Sequence, residues 1–205
     1  MKSLILAFQE KKWENYTIPV NGEPVVKLTE RRLLMSKRID EALTVVRKDR
    51  LKIYSLYVIK PIPVSAKNKM GALLKALPDE PFFLVEGNMP LVMPFLVNYL
   101  VGLFYESEPE ALIPVWKDGK AEVTHAVYGP DALRRAIEAA LAEGYRGLGK
   151  ITEFLDYEPV SIEELARRNP KVTLSFFKVR NSFDVRFVEE TLKKIEGDPK
   201  TRPSS

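Results

Sequence analysis

Glu86 and Asn88, a carboxylate and a carboxamide two residues apart, follow an uninterrupted apolar run, Phe82-Phe83-Leu84-Val85. A fully apolar run of this length reads as a strand buried on both faces of a parallel sheet. With a strand period of two, residues 86 and 88 share one face if the strand continues that far. Together they offer oxygens suited to a hard cation such as Mg2+, with phosphate oxygens completing the shell. Asn88 also suits a turn or a helix cap, the commoner use of that residue type after a strand. A second candidate lies after the short apolar strand Leu4–Ala7, where α/β domains usually carry a glycine-rich phosphate loop. From Phe8 to Val20 there is no glycine; Lys11, Lys12, Trp13 and Asn15 stand there instead. The lone His125, with no cysteine in the chain and no acid beside it, reads as structural. Neither a P-loop nor Gly-x-Gly-x-x-Gly is present, and no serine-histidine-acid arrangement is recognisable.

The elements that must position these residues alternate between strand and helix. Leu4–Ala7, Ala42–Val46, Leu56–Ile62, Phe82–Val85 and Val172–Val179 read as strands,. Ile18–Val20 with Asn21-Gly22 reads as an extended piece and a turn, and the stretches 111–116 and 121–123 around Lys117-Asp118-Gly119-Lys120 as a hairpin,. Helices are expected over 23–35, 69–77, 93–104, 131–143, 147–155, 162–168 and 185–195. The alternation implies an α/β, three-layer Rossmann-like fold with a mostly parallel sheet. Residues 1–196 are expected to form a single domain, and the polar 197–205 a disordered tail. Ligands of such sheets bind at the carboxyl ends of the strands, here after Ala7 and after Gly87.

Composition narrows the function classes. The 205 residues are enough for one substantial core,. With no cysteine, disulfides, cysteine-zinc sites and a cysteine nucleophile are excluded, and one histidine excludes a multi-histidine metal site,. A net charge of +4 suits an anionic ligand, yet no basic run is longer than a pair such as Lys11-Lys12 or Arg31-Arg32, so a nucleic-acid partner is not expected. The most apolar window, 90–105, is interrupted by Pro94 and Asn98 and falls short of a membrane span. Together with the absence of a signal-peptide pattern, this points to a cytoplasmic protein.

One long segment, "IPVWKDGKAEVTHAVYGPDALRRAIEAALAEGYRGLGKITEFLD" from Ile113 to Asp156, resembles the central part of molybdenum cofactor guanylyltransferases. Other pieces follow in order: "LILA", "PVNGEPV", "NKMGALLKAL", "VEGNMPLVMPFLVNYL" and "FFKVRNSFDVRFVEE". The resemblance implies a nucleotidyltransferase that joins GMP from GTP to a molybdopterin-like phosphate acceptor with Mg2+. It implies a nucleotide site at Leu6, Ala7, Phe8, Lys11, Lys12, Asn15, Asn68 and Asn88, and an acceptor site at His125, Tyr128, Lys178, Arg180 and Asn181. Metal ligands would be Glu86 and Asn88. The departures are specific. Phe8 and Gln9 stand where the family loop has glycines, Asn15 where it has a phosphate-binding lysine, Asn68 at a helix-start glycine, and Asn88 at the magnesium-binding aspartate. Read without a gap, Lys178 and Arg180 replace two family asparagines; a one-residue shift brings Asn181 there instead. Lys11 or Lys12 could supply the missing cation and Glu86 the missing carboxylate. A non-catalytic relative that binds a nucleotide, a pterin or a protein is the alternative. In an active enzyme, CTP and other phosphate monoesters remain open as substrates.

Overall fold

The computed structural model describes residues 1–8 and 15–196. The expectations for Lys11, Lys12 and the 197–205 tail lie outside the described residues. The chain opens with β1 (Lys2–Leu6), a small hairpin of β2 (Pro19–Val20) and β3 (Glu23–Pro24), and helix α1 (Val25–Leu34). Next come β4 (Glu41–Arg47), the short α2 (Leu51–Tyr54), β5 (Pro61–Val64), α3 (Lys69–Ala76) and β6 (Phe82–Glu86). Then follow α4 (Pro94–Ser107), β7 (Ala111–Val115), β8 (His125–Tyr128) and α5 (Pro130–Ala142). The last elements are β9 (Glu158–Ser161), α6 (Ile162–Arg168) and α7 (Ser182–Glu196).

Seven strands form one sheet in the order β5-β4-β1-β6-β8-β7-β9. All its pairings are parallel except those of β8, which runs against β6 and β7. Strand alternation sends β1 and β6 side chains to opposite faces. Ile5, Phe83 and Val85 pack with Val26, Leu33, Leu96 and Leu100 of α1 and α4. Leu4, Leu6, Phe82 and Leu84 pack with Met70, Leu73, Leu133 and Ala136 of α3 and α5. Helices therefore cover both faces, and the sheet centre has to be apolar on both sides, which is why Phe82–Val85 carries no polar residue. From β1 the chain turns to β4 and β5 on one side, then returns across to β6 on the other. The reversal opens a crevice between the carboxyl ends of β1 and β6,.

The Asn21-Gly22 turn is present, with φ of 49° and 81°, the left-handed pair that a tight antiparallel hairpin requires,. Other readings need correction. The strand expected over Leu56–Ile62 begins only at Pro61, after α2 and a turn. Its prolines at 61 and 63 are tolerated because β5 is an edge strand, bonded to β4 alone,. The strand expected over Val172–Val179 is a 3-10 helix, Pro170–Phe176, that ends in an extended piece. Pro170 opens it, and the Asn169 side chain caps it by accepting from the Lys171 N–H,. Of the hairpin at 111–123, the turn closes through Trp116 N–H to Lys120 O, but Ala121 makes only an isolated bridge to Val115. The second strand starts at His125, which lies inside β8 and not after it.

Candidate active site

Gly87 ends β6 where the crevice opens. Its N–H donates to Leu6 O, tying the ends of β1 and β6 together. A Cβ there would lie 3.1 Å from Ala7 Cβ, 3.2 Å from Tyr16 Cδ1 and 3.3 Å from Val26 Cγ2, so glycine lets the strand end pass through this junction,. The cleft beyond it, of about 480 Å3, is lined by Tyr16, Lys69, Glu86, Asn88, Thr124, Arg146 and Lys178 among others. Three cations thus face one carboxylate. A second concavity of about 470 Å3 lies at the ends of β1, β4 and β5, against Phe8, Arg47, Asp49, Val64, Ser65 and Ala66.

Glu86 is the centre of the larger cleft, at 8% exposure. Its Oε1 accepts from Tyr16 Oη at 3.1 Å and from Lys69 Nζ, and its Oε2 pairs with Lys178 Nζ at 3.1 Å. Burial works against the charged carboxylate, but the adjacent Lys178 and Lys69 outweigh it and hold its pKa below the ordinary range,. Glu86 is therefore ionised at neutral pH and both lysines are held against it. Lys178 also donates to Thr124 Oγ1 at 2.8 Å.

The segment carrying Lys178 has no sheet neighbour and is docked by three side chains. Asn88 clasps Val179 twice: its backbone O accepts from the Val179 N–H, and its Nδ2 donates to Val179 O, both at 2.8 Å. Ser175 Oγ accepts from the Met93 N–H at 3.0 Å and lies 3.1 Å from His125 Nε2. His125 is wholly buried, edge-on to Phe83 and Phe176. Burial, with Lys178 nearby, lowers its pKa to about 3, so it is neutral.

A family model described as the MobA-like NTP transferase domain matches residues 14–160. The chain belongs to this family. A probable molybdenum cofactor guanylyltransferase of Thermococcus sibiricus is 29% identical over 186 residues, covering 90% of each chain. A protein of the same description from Thermococcus gammatolerans is 30% identical over 81% of this chain and 85% of its own. In fold, the MobA-like chain resembles molybdopterin-guanine dinucleotide biosynthesis protein A of Archaeoglobus fulgidus, with a TM-score of 0.77 and 21% identity over 95% of this chain and 100% of that one. A 4-diphosphocytidyl-2C-methyl-D-erythritol synthase of Anaerococcus prevotii gives a TM-score of 0.65 at 17% identity, covering 94% and 96%.

Of the residues expected from the sequence, Asn15, Glu86, Asn88 and Lys178 line the larger cleft, and Phe8 the smaller one. Leu6 and Ala7 are buried at the end of β1, where their backbone groups bond the neighbouring strands. Asn68 does not line the cleft; its side chain caps α3 by accepting from the Gly71 N–H at 2.8 Å. His125 and Tyr128 are corrected to interior roles. Both are fully buried, and Tyr128 Oη donates to Val123 O at 2.7 Å. Arg180 is exposed outside the cleft, with its N–H on Asp184. Asn181 caps α7 by accepting from the Phe183 and Asp184 N–H groups. Sequence reasoning missed Lys69, Tyr16, Thr124 and Arg146. Lys69 carried a signal, because a cation in the first turn of a helix opposes the helix dipole and needs an anionic partner to offset it.

MobA-like NTP transferases typically use a divalent metal. Among the described residues, the groups lining the cleft do not make up a ligand set for one held by the protein. Both Glu86 oxygens are occupied, with an ammonium on each. Asn88 offers a buried Oδ1 with no hydrogen-bond partner, a single neutral donor. Among the described residues no group of three or more His, Cys, Asp or Glu gathers to hold a cation. A hard divalent ion needs several oxygens and preferably anionic ones. In this structure Glu86, expected from the sequence as a metal ligand, is a counter-ion to two lysines, and Asn88 is a tether.

Proposed function

We propose that this chain is a nucleotidyltransferase that moves GMP from GTP onto the terminal phosphate of molybdopterin. A phosphate oxygen of the acceptor attacks the α-phosphorus of GTP, a new P–O bond forms, and the bond to the β-phosphate oxygen breaks to release pyrophosphate. The observation that carries the reading is the Lys69–Glu86–Lys178 cluster at the switch point of a MobA-like sheet. Negative charge builds on the α-phosphate oxygens and on the departing pyrophosphate, and fixed cations aimed there lower the barrier. Lys69 and Lys178, held by Glu86 before any ligand arrives, supply such charge with little reorganisation. In this reading the concavity lined by Phe8, Val64, Ser65 and Ala66 would take the base and ribose, and the side of the larger cleft near Arg146 the acceptor.

Incubation of the protein with GTP and molybdopterin, followed by mass spectrometry of the products, tests the reading. The expected result is molybdopterin-guanine dinucleotide and one pyrophosphate for each, with ATP and CTP poorer donors. Pyrophosphate release that does not depend on the acceptor, or no dinucleotide with any of the three nucleotides, would refute it.

A further inference from the structure

We propose that the two lysines on Glu86 take over the charge neutralisation expected of a carboxylate-held metal, so that this chain binds a nucleotide triphosphate without a protein-held divalent cation. The inference rests on the nucleotide reading above and concerns how that site holds phosphate.

Four observations carry it. First, the one carboxylate among the described residues lining the cleft is already neutralised: Lys69 and Lys178 each take one oxygen of Glu86, and Tyr16 Oη shares Oε1. A cation entering that position would have to displace an ammonium from a buried carboxylate. Second, Asn88 stands with its side-chain Nδ2 donating to Val179 O at 2.8 Å, while its backbone carbonyl accepts from the Val179 N–H. A carboxylate at 88 would set an anionic oxygen against that carbonyl oxygen, repelling the strap that carries Lys178. An aspartate at 88 would keep the backbone bond to Val179 but lose the side-chain one, so it would weaken the docking of Lys178 that the carboxamide provides. Third, Ser175 bonds Met93 and His125 on the other side of Lys178, so the strap is fastened on both flanks. Fourth, the lysine side chains remain about a quarter exposed, at 27% and 23%, facing the cleft that Arg146 also lines. An ammonium has three N–H groups; Lys178 commits two, to Glu86 and Thr124, which leaves one for a phosphate oxygen.

The charges agree with this geometry. Among the described residues, one carboxylate against three cations gives the lining the sign that a triphosphate needs, whereas a metal site needs a surplus of carboxylate,. Free GTP, more negative than its magnesium complex, is then the better ligand.

Calorimetric titration of the full-length protein with GTP and with inorganic tripolyphosphate, in EDTA and in millimolar Mg2+, provides the test. GTP is expected to bind at least as tightly in EDTA as in Mg2+. Lys178→Met and Lys69→Met should each weaken binding by about tenfold or more, for loss of one charge-assisted contact. Either single variant leaves a buried carboxylate short of a partner, so Glu86→Gln/Lys178→Met is made alongside to preserve charge balance. It should fold normally by its melting transition and still show the loss. Asn88→Asp should weaken GTP binding in EDTA by a similar factor. A wild-type affinity that rises tenfold or more on adding Mg2+, with the rise abolished by Glu86→Gln, would overturn the inference and leave the nucleotide reading standing. No binding of GTP in either buffer would overturn the nucleotide reading, and the inference with it.

Discussion

Asn88 and His125 show how much a residue's partners decide its role. Asn88, at the position where the family resemblance implies an aspartate, is a clasp for the Lys178 strap. His125, the one imidazole in the chain, sits unexposed between two phenylalanine rings and touches Ser175 without reaching the cleft. The folded protein holds its pKa near 3, whereas the unfolded chain has the ordinary value of 6.5. Below pH 6.5 the unfolded chain therefore takes up a proton that the folded one refuses. Stability falls as the pH drops and this contribution stops changing below about pH 3,. The slope from this one group approaches 1.4 kcal/mol per pH unit, on the order of 3 kcal/mol between pH 6.5 and 4. Chemical denaturation at pH 7, 5.5 and 4 should show His125→Gln losing less stability than the parent by about that amount; parallel losses in the two proteins would refute the assignment. Glu86 behaves oppositely. Its pKa is depressed, so its share of stability is present above the ordinary value of 4.5 and is lost only as the pH falls through the lower folded-state value,.

The junction of β1, β6 and α1 is the element on which the site depends. A methyl group at Gly87 would sit 3.1–3.3 Å from Ala7, Tyr16 and Val26, so these neighbours would have to give by a few tenths of an ångström. Thr29 of α1 shares its hydroxyl proton between Val25 O and Gly87 O, fixing the helix to the strand end. Gly87→Ala should destabilise the protein by about 1–3 kcal/mol through overpacking, and shift Tyr16 and Glu86 enough to weaken GTP binding. Unchanged melting temperature and unchanged affinity together would contradict this account of the junction. Elements with local causes could be read from the sequence. Phe82–Val85 is apolar throughout because both faces are covered, and Asn21-Gly22 is a turn by its own backbone preference. The strand near Leu56 was misplaced because apolar residues continue across a helix and a turn before the edge strand begins. Val172–Val179, with Thr173, Phe176 and Phe177 between its two valines, has enough β-branched and aromatic residues to suggest a strand, but Asn169 and Pro170 start a 3-10 turn there and the segment joins no sheet. The site was legible in part. The strand-end position of Glu86 and Asn88 could be found from periodicity, but not their partners, since Lys69, Lys178 and Val179 meet them only through tertiary folding.

On the scale of the whole molecule, one seven-stranded sheet with helices on both faces spans from β1 to β9, and a smaller cluster around Val20, Val25, Leu91, Val188 and Leu192 ties α7 to the β2 hairpin and α1. We expect residues 1–196 to unfold as one cooperative unit, with a single calorimetric transition whose van't Hoff and calorimetric enthalpies agree. Two separated transitions would indicate independent parts. No helix among the described residues is long and apolar enough to cross a membrane. The central claim is that this MobA-like sheet transfers a nucleotide using the lysines gathered on Glu86. The most direct measurement is transfer of label from [α-32P]GTP to molybdopterin, comparing the parent with Lys178→Met and with the charge-balanced Glu86→Gln/Lys178→Met. The account predicts labelled dinucleotide from the parent and a loss of roughly ten- to hundredfold in both variants, the scale of one or two lost charge-assisted contacts. Transfer at the parental rate in the folded double variant, or label released only as GMP, would contradict it.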